Sequence, residues 1–364
     1  MTETPFTADA VTAEWLTTAL RAHGCLGTGS VVAFTRTDLA ETTSVLGDLV
    51  RFELELEEPP ENAPRSVIAK FAAAAVENRA LAMILGHYRR ETGFYVELAS
   101  EALLPVPACY HSQFEPETHD FVLLLEDLAG LELGDQLVGC SLDDAVGAAA
   151  CVARMHARWW GDPRLEAIDW LPRLDAEVHV LGVPPAFDAG WANARDYLGD
   201  ALTPAVVELG DRFSAAIPDL LRRLSETPCT LVHGDFRLDN LFFDPEANRA
   251  LRVVDMQLVM AARGPYDMAY LGSQSLPVDE RREYEQDLLR GYWDALVAEG
   301  VAGYDFDQCW EDYRLATLFC FVYPVVLMGG LDLGNPRSHE LERTIFERST
   351  TAIADLGAVE LLPA

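Results

Sequence analysis

Lysine is almost missing from this chain. Of its 364 residues, 27 are Lys or Arg; 26 of these are arginine, and Lys70 is the one lysine. Long apolar stretches are missing too: no run approaches the roughly 20 residues that cross a bilayer. The opening MTETPFTADAVTAEW has no basic segment leading into a hydrophobic core, so no signal peptide is expected and the expected location is cytoplasmic. Seven cysteines (25, 109, 140, 151, 229, 309 and 320) make no CxxC pair and no metal-ligand spacing. They read as reduced core residues and not as a disulfide framework. Positive charge is scarce overall, and the formal net charge of −32 argues against a nucleic acid or an anionic membrane as partner. A cationic ligand is compatible with it. Many acidic residues with almost no lysine is, however, first of all a style of solvation.

The length suits two domains or one unit with two lobes. What is present divides the same way. Residues 7–23 follow a helical apolar stripe, and 45–58 (VLGDLVRFELELEE) alternate like a strand up to Pro59-Pro60. A second strand is expected at 66–72 (SVIAKFA), followed by one helix of some 23 residues over 76–98. Two further strands fall within 105–114 and 119–128. Beyond Asp127 the pattern turns to long helices, at 142–160, 204–224 and about 278–299, 305–328 and 337–356. The expectation is therefore an α+β protein: a small antiparallel-sheet lobe over 1–126 and a larger, mainly helical lobe over 127–364. Within the first, Lys70 sits among Val67, Ile68, Ala69 and Phe71, where a lone ammonium is costly unless paired. Lysine offers a compact point charge where arginine offers a wide planar fork, so a crowded anion site would select it.

The densest polar cluster in an apolar setting is TLVHGDFRLDNLFFDPEANRALRVVDMQ, residues 230–257. One strand delivers His233-Gly234-Asp235, Asn240 follows five residues later, and a second strand delivers Asp255. A tight hairpin would bring these three to one edge. A carboxylate with an amide oxygen is a hard-oxygen set suited to Mg²⁺, which takes few protein ligands and fills its shell with phosphates. The remaining carboxylate, Asp235, can accept a proton from an attacking hydroxyl.

The order of these parts resembles the phosphotransfer template of protein kinases. The HGDxxxxN wording, and Asp-Met-Gln at the metal position, resemble the aminoglycoside phosphotransferase and choline kinase superfamily. Within it, HGDFRLDN, Gln257 after VVDM, and GPYDMAYLGSQS (264–275) are similar to the ecdysteroid kinase-like branch, whose bacterial members phosphorylate diverse small molecules. The resemblance runs from about residue 40 to 330. It implies a bilobed protein-kinase-like fold with ATP in the cleft and Mg²⁺ as cofactor. It further implies that Lys70 holds the α/β phosphates, that Glu91 pairs with Lys70, and that Glu126-Asp127-Leu128 form the hinge that holds adenine. Asp235 is then the catalytic base, and Asn240 and Asp255 are the metal ligands.

Two positions depart from the pattern. The segment AETTSVLGD (40–48) holds only one glycine, Gly47, so phosphate capping falls to backbone amides near Thr43 and Ser44. Met256 stands where an aromatic residue is common. The resulting expectation is a small-molecule O-phosphotransferase with a hydroxyl acceptor. A nucleotide-binding protein without turnover, a hydroxyacyl-CoA kinase, and a metal phosphoesterase using His233 are the alternatives. The acceptor itself and the oligomeric state are not legible.

Overall fold

The computed structural model describes residues 3–39, 47–329 and 336–363. The chain forms two compact units. The first comprises residues 1–101, 106–130 and 254–258, and the second comprises 102–105, 131–253 and 259–364.

The first unit is built on a five-stranded antiparallel sheet. Its strands are β1 (Ser30–Asp38), β2 (Gly47–Glu57), β3 (Ser66–Ala72), β4 (Cys109–Phe114) and β5 (Phe121–Glu126), in the order β1-β2-β3-β5-β4. Alternation along the strands decides what each face carries. In β2, Val50, Phe52 and Leu54 are buried, and in β3 so are Val67, Ala69 and Phe71. These pack with Trp15, Leu16 and Leu20 of α1 (Ala13–His23), whose N-terminus is capped by Thr12 accepting from Trp15 N–H. Lys70 is one residue out of step with the apolar set, so the pleat turns it to the opposite face beside Ile68.

The single helix expected over 76–98 is two helices and a π-type turn: α2 (Val76–Leu85), α3 (His87–Gly93) and Phe94–Leu98. Gly86 causes the break. It adopts φ 72°, the left-handed conformation that glycine reaches without a Cβ penalty, and its N–H closes α2 onto Ala82 and Met83. β1 was not expected from the sequence, because TRTD at its end is exposed and polar.

The second unit is helical apart from short strands: β6 (Glu132–Leu133), β7 (Thr230–Val232), β8 (Leu241–Asp244), β9 (Ala250–Val253) and β10 (Met260–Ala262). Its longer helices are α4 (Leu142–Arg158), α6 (Glu177–Leu198), α7 (Pro204–Leu224), α9 (Val278–Ala298), α10 (Phe306–Phe319) and α12 (Pro336–Asp355), with shorter α5 (Arg164–Ala167), α8 (Pro265–Tyr270) and α11 (Val322–Met328). The helix expected over 305–328 is thus split at Cys320-Phe321. Helix α6 escaped the sequence reading because Pro184 and Pro185 lie inside it. Tertiary packing holds it: a Cβ at Gly190 would meet the Val325 carbonyl oxygen at 2.0 Å, so α6 and α11 approach backbone to backbone. β7 pairs antiparallel with β10. β8 and β9 form a hairpin pairing Leu241 with Val253, so the chain enters and leaves it at the same end.

Candidate active site

In the first unit, the Lys70 ammonium lies 2.6 Å from Glu91 Oε1 and 3.4 Å from Asp255 Oδ1. Lys70 comes from the central strand β3, paired on one side with Leu49 and on the other with Leu123, and Glu91 comes from α3. The other Glu91 oxygen accepts from Gln257 Nε2 at 3.2 Å. Glu91 is fully buried, whereas the Asp255 side chain keeps 29% of its surface exposed. Asp255 takes φ 68°, an uncommon conformation that aspartate tolerates better than most residues. Burial pulls the Lys70 ammonium down, but Asp255 and Glu91 together outweigh it, so it stays firmly charged. Burial lifts the Glu91 carboxyl above its ordinary value against the pull of Lys70. One cation between two carboxylates leaves a net negative cluster with a single reachable acid, Asp255.

The segment expected to be the hinge begins at the last residue of β5, Glu126. The Glu126 backbone N–H donates to Ala108 O at 2.8 Å and is therefore committed, while Leu128 N–H has no partner among the described residues. Asp127 is held by Arg51 through Nε at 2.8 Å and Nη2 at 3.1 Å. Ser44, the expected phosphate-capping residue, lies outside the described residues, as does Thr43.

In the second unit, β7 runs into His233-Gly234-Asp235. Gly234 has φ 84°, a backbone conformation that glycine alone takes freely. Asp267, buried at the start of α8, accepts from His233 N–H at 2.7 Å and Gly234 N–H at 2.9 Å, and His156 Nε2 lies 3.1 Å away. His156 in turn meets Tyr292 Oη at 2.7 Å. His233 turns its Nδ1 to the Asp235 N–H at 3.2 Å, so its ring steadies the loop. Asn240 donates from Nδ2 to both the main-chain oxygen and Oδ2 of Asp235, each at 2.9 Å, which leaves its amide oxygen for another partner. Arg237 Nε is 3.1 Å from the Asp235 carboxylate and Nη1 is 3.2 Å from Asp239. Burial weakens the Arg237 charge less than Asp235, Tyr270 and Asp239 reinforce it. Burial, with Asp235 beside it, keeps the Tyr270 phenol neutral.

Residues 63–304, well over half of the chain, match the phosphotransferase enzyme family, APH. The chain belongs to that family. The chain is also similar in structure to a Ralstonia eutropha JMP134 protein assigned to the aminoglycoside phosphotransferases, at TM-score 0.53 and 14% identity over 97% of this chain and 99% of that one. The amicoumacin kinase hAmiN, in complex with AMP-PNP, Ca²⁺ and Ami, aligns at TM-score 0.52 and 13% identity over 94% and 96%. APH(2″)-IIIa with GDP and kanamycin aligns at TM-score 0.52 and 13% identity over 95% and 99%. At these identities the likeness establishes the fold: an antiparallel-sheet unit and a helical unit, as in those phosphotransferases. Among curated proteins, Acyl-CoA dehydrogenase family member 11 of Rattus norvegicus is 28% identical over 138 residues, 34% of this chain. The chain spans about 17% of that protein's length.

The structure thus brings Lys70, Glu91 and Asp255 together in the first unit, and Asp235 and Asn240 together in the second. Sequence reasoning gave no role to Gln257, which fixes Glu91, or to Gln136, whose Oε1 accepts from Arg237 Nη1 at 3.3 Å. Gln257 had a signal, its place two residues after the expected metal ligand Asp255. Gln136 had none. No helix among the described residues is long and apolar enough to cross a membrane.

Proposed function

We propose that the protein transfers the γ-phosphoryl group of ATP to a hydroxyl of a small molecule. The observation that carries this reading is the Lys70 ammonium held between a fully buried glutamate and a partly exposed aspartate. A structural ion pair needs one carboxylate; the second, reachable one marks a charged ligand site. Lys70 binds the α/β phosphates while Glu91 and Gln257 fix its position. Leu128, whose N–H is uncommitted, is the hinge residue best placed to hold the base, with Glu126 beside it. The donor set fits a divalent cation: Asp255 presents a reachable carboxylate, and Asn240 has its nitrogen engaged and its oxygen left over. Each of the two, within its own unit, has the chemistry of a Mg²⁺ ligand, and the ion when bound would neutralise charge on the phosphate oxygens.

Asp235 orients the acceptor. Its carboxylate is pinned by Arg237 and Asn240, so it meets the incoming hydroxyl in one orientation. As the acceptor oxygen bonds to the γ-phosphorus, the bond from that phosphorus to the β–γ bridging oxygen breaks. The hydroxyl proton passes to Asp235, and ADP departs. Charge stabilisation and positioning account for most of the acceleration, as expected of a loose phosphoryl transition state.

A hydroxyacyl-CoA acceptor is a second reading, favoured by the 28% identical stretch shared with a protein named for acyl-CoA dehydrogenation. Thermal unfolding with Mg²⁺, ATP and both together, followed by ADP release across acceptor classes, tests both readings. A melting shift that requires ATP and Mg²⁺ together, and is reduced in Lys70→Ala, is expected. No shift in the wild type would overturn the nucleotide site. Asp235→Ala should keep the shift and lose turnover by about 10²-fold or more.

A further inference from the structure

Arg348 lies more than a hundred residues beyond the catalytic loop, on α12, and is buried, with 7% of its surface exposed. No carboxylate partners it among the described residues. Its guanidinium is instead spent on main-chain oxygens. Nη1 donates to the carbonyls of Gln136, of Gln274 at 3.3 Å and of Ser275 at 3.2 Å, and Nη2 donates to Leu137 O at 2.9 Å. Burial lowers its basicity, the cost of desolvating a cation, and outweighs the attraction of Glu280, Glu347 and Asp135, none of which bonds to it among the described residues. Such a group is retained for where its donors point, since a planar fork can clamp two separate segments at once.

Both clamped segments hold the catalytic loop. Gln136 donates its N–H to Asp239 Oδ1 at 2.8 Å and accepts from Arg237 at its side-chain oxygen. Ser275 Oγ accepts from Leu238 N–H at 3.2 Å. Two residues before Gln136, Gly134 donates to Leu241 O at 2.8 Å and passes so close that a Cβ would lie 2.4 Å from Leu238 O. Residues 237, 238 and 239 are therefore each fastened to Gln136 or Ser275, and Arg237 in turn pins the Asp235 carboxylate.

We propose that Arg348 is a positioning residue for phosphoryl transfer, setting the Asp235 carboxylate through Gln136, Ser275 and Arg237. The proposal rests on the reading of Asp235 as the base. It accounts for a buried arginine in the last long helix whose donors all go to main-chain oxygens among the described residues, where an apolar side chain of similar length would fill the space at lower desolvation cost. A misplacement of about 1 Å at a reacting group can cost on the order of 10²-fold in rate, so loosening this brace is expected to act on turnover and not on nucleotide affinity.

The test compares the full-length wild type with Arg348→Met, Arg348→Lys and Ser275→Ala, well below their melting temperatures. Hydrogen exchange is followed in peptides covering 134–139 and 235–241, and ADP release is followed with Mg·ATP and water as acceptor. In Arg348→Met, exchange at 235–241 should accelerate by about tenfold or more while peptides from β1–β3 are unchanged. ADP release should fall by a similar factor with the half-saturating ATP concentration held within about threefold. Arg348→Lys should recover part of both, since an ammonium reaches fewer of the four carbonyls. A lowered melting temperature with unchanged loop exchange and unchanged ADP release would overturn the proposal and leave Arg348 as a packing residue. Should Arg348→Met fail to fold, Ser275→Ala, which removes one fastening of the loop, decides by the same readouts. If the wild type itself shows neither a Mg·ATP melting shift nor ADP release, the phosphotransfer reading fails, and exchange alone still decides whether Arg348 braces the loop.

Discussion

Lys70 shows what one side chain can decide. Its ammonium faces two carboxylates, and among the described residues Glu91 has Lys70 and Gln257 to offset its complete burial. Removing the cation strands that charge, which in buried pairs costs about 3–5 kcal/mol. Lys70→Met should lower the urea midpoint by a corresponding amount, and adding Glu91→Gln should recover part of the loss. An additive double mutant would show that the pair is not energetically coupled. Lys70→Arg keeps the charge but needs room for a planar fork beside a fully buried glutamate, so the Mg·ATP melting shift should be lost although the protein folds. Glu342 is the opposite case. It is 8% exposed, its Oε2 has no hydrogen-bond partner among the described residues, and burial lifts its carboxyl from 4.5 to about 7. A raised carboxyl binds its proton more tightly when folded. Its contribution is full below about pH 4.5 and is lost as pH rises through about 7. Glu342→Gln should therefore be more stable than wild type at pH 8 and no more stable at pH 4, measured by denaturant unfolding at each pH.

At the scale of elements, the catalytic loop is held from outside itself. Asp267 at the start of α8 accepts from two consecutive backbone N–H groups, His233 and Gly234, in a fully buried setting. Each buried donor left without an acceptor costs about 1–3 kcal/mol. Asp267→Ala orphans both and should destabilise by roughly 2–5 kcal/mol, whereas Asp267→Asn keeps one acceptor and should lose about half as much. Equal losses in the two variants would mean that Asp267 does not act through these two bonds. The same logic explains why Gly234 and Gly134 cannot be replaced without cost: one supplies a positive φ, and the other a close backbone approach.

At the scale of the whole molecule, a net charge of −32 works against compaction, since like charges repel most when they are concentrated in the folded state. The arginines that remain are largely paired, as in Arg249 with Asp144 and Glu132 and Arg281 with Glu285 and Asp355. The excess is therefore unpaired acid. Salt should relieve it: the melting temperature is expected to rise from about 10 mM to about 0.5 M NaCl, where the screening length falls below about 10 Å. A flat or falling melting temperature over that range would mean that specific ion pairs outweigh the general repulsion.

The sequence by itself determined the components. Period-two alternation fixed which strand residues enter the sheet core and turned Lys70 away from it, and the spacing within HGDFRLDN placed Asn240 within reach of Asp235, because both are local consequences of backbone geometry. It also located most of the long helices, from their apolar period. It did not show α6, where two prolines masked a helix that packing against Val325 sustains, or the break at Gly86, where one glycine ended a pattern that read as continuous. Only the tertiary structure decided what surrounds each component. Gln257 at Glu91, Gln136 at Arg237 and Arg348 beneath both loop supports are contacts across long sequence separations, made by ordinary residues in ordinary positions. Nothing local in the chain distinguishes them, because their roles come from the atoms that folding places opposite them.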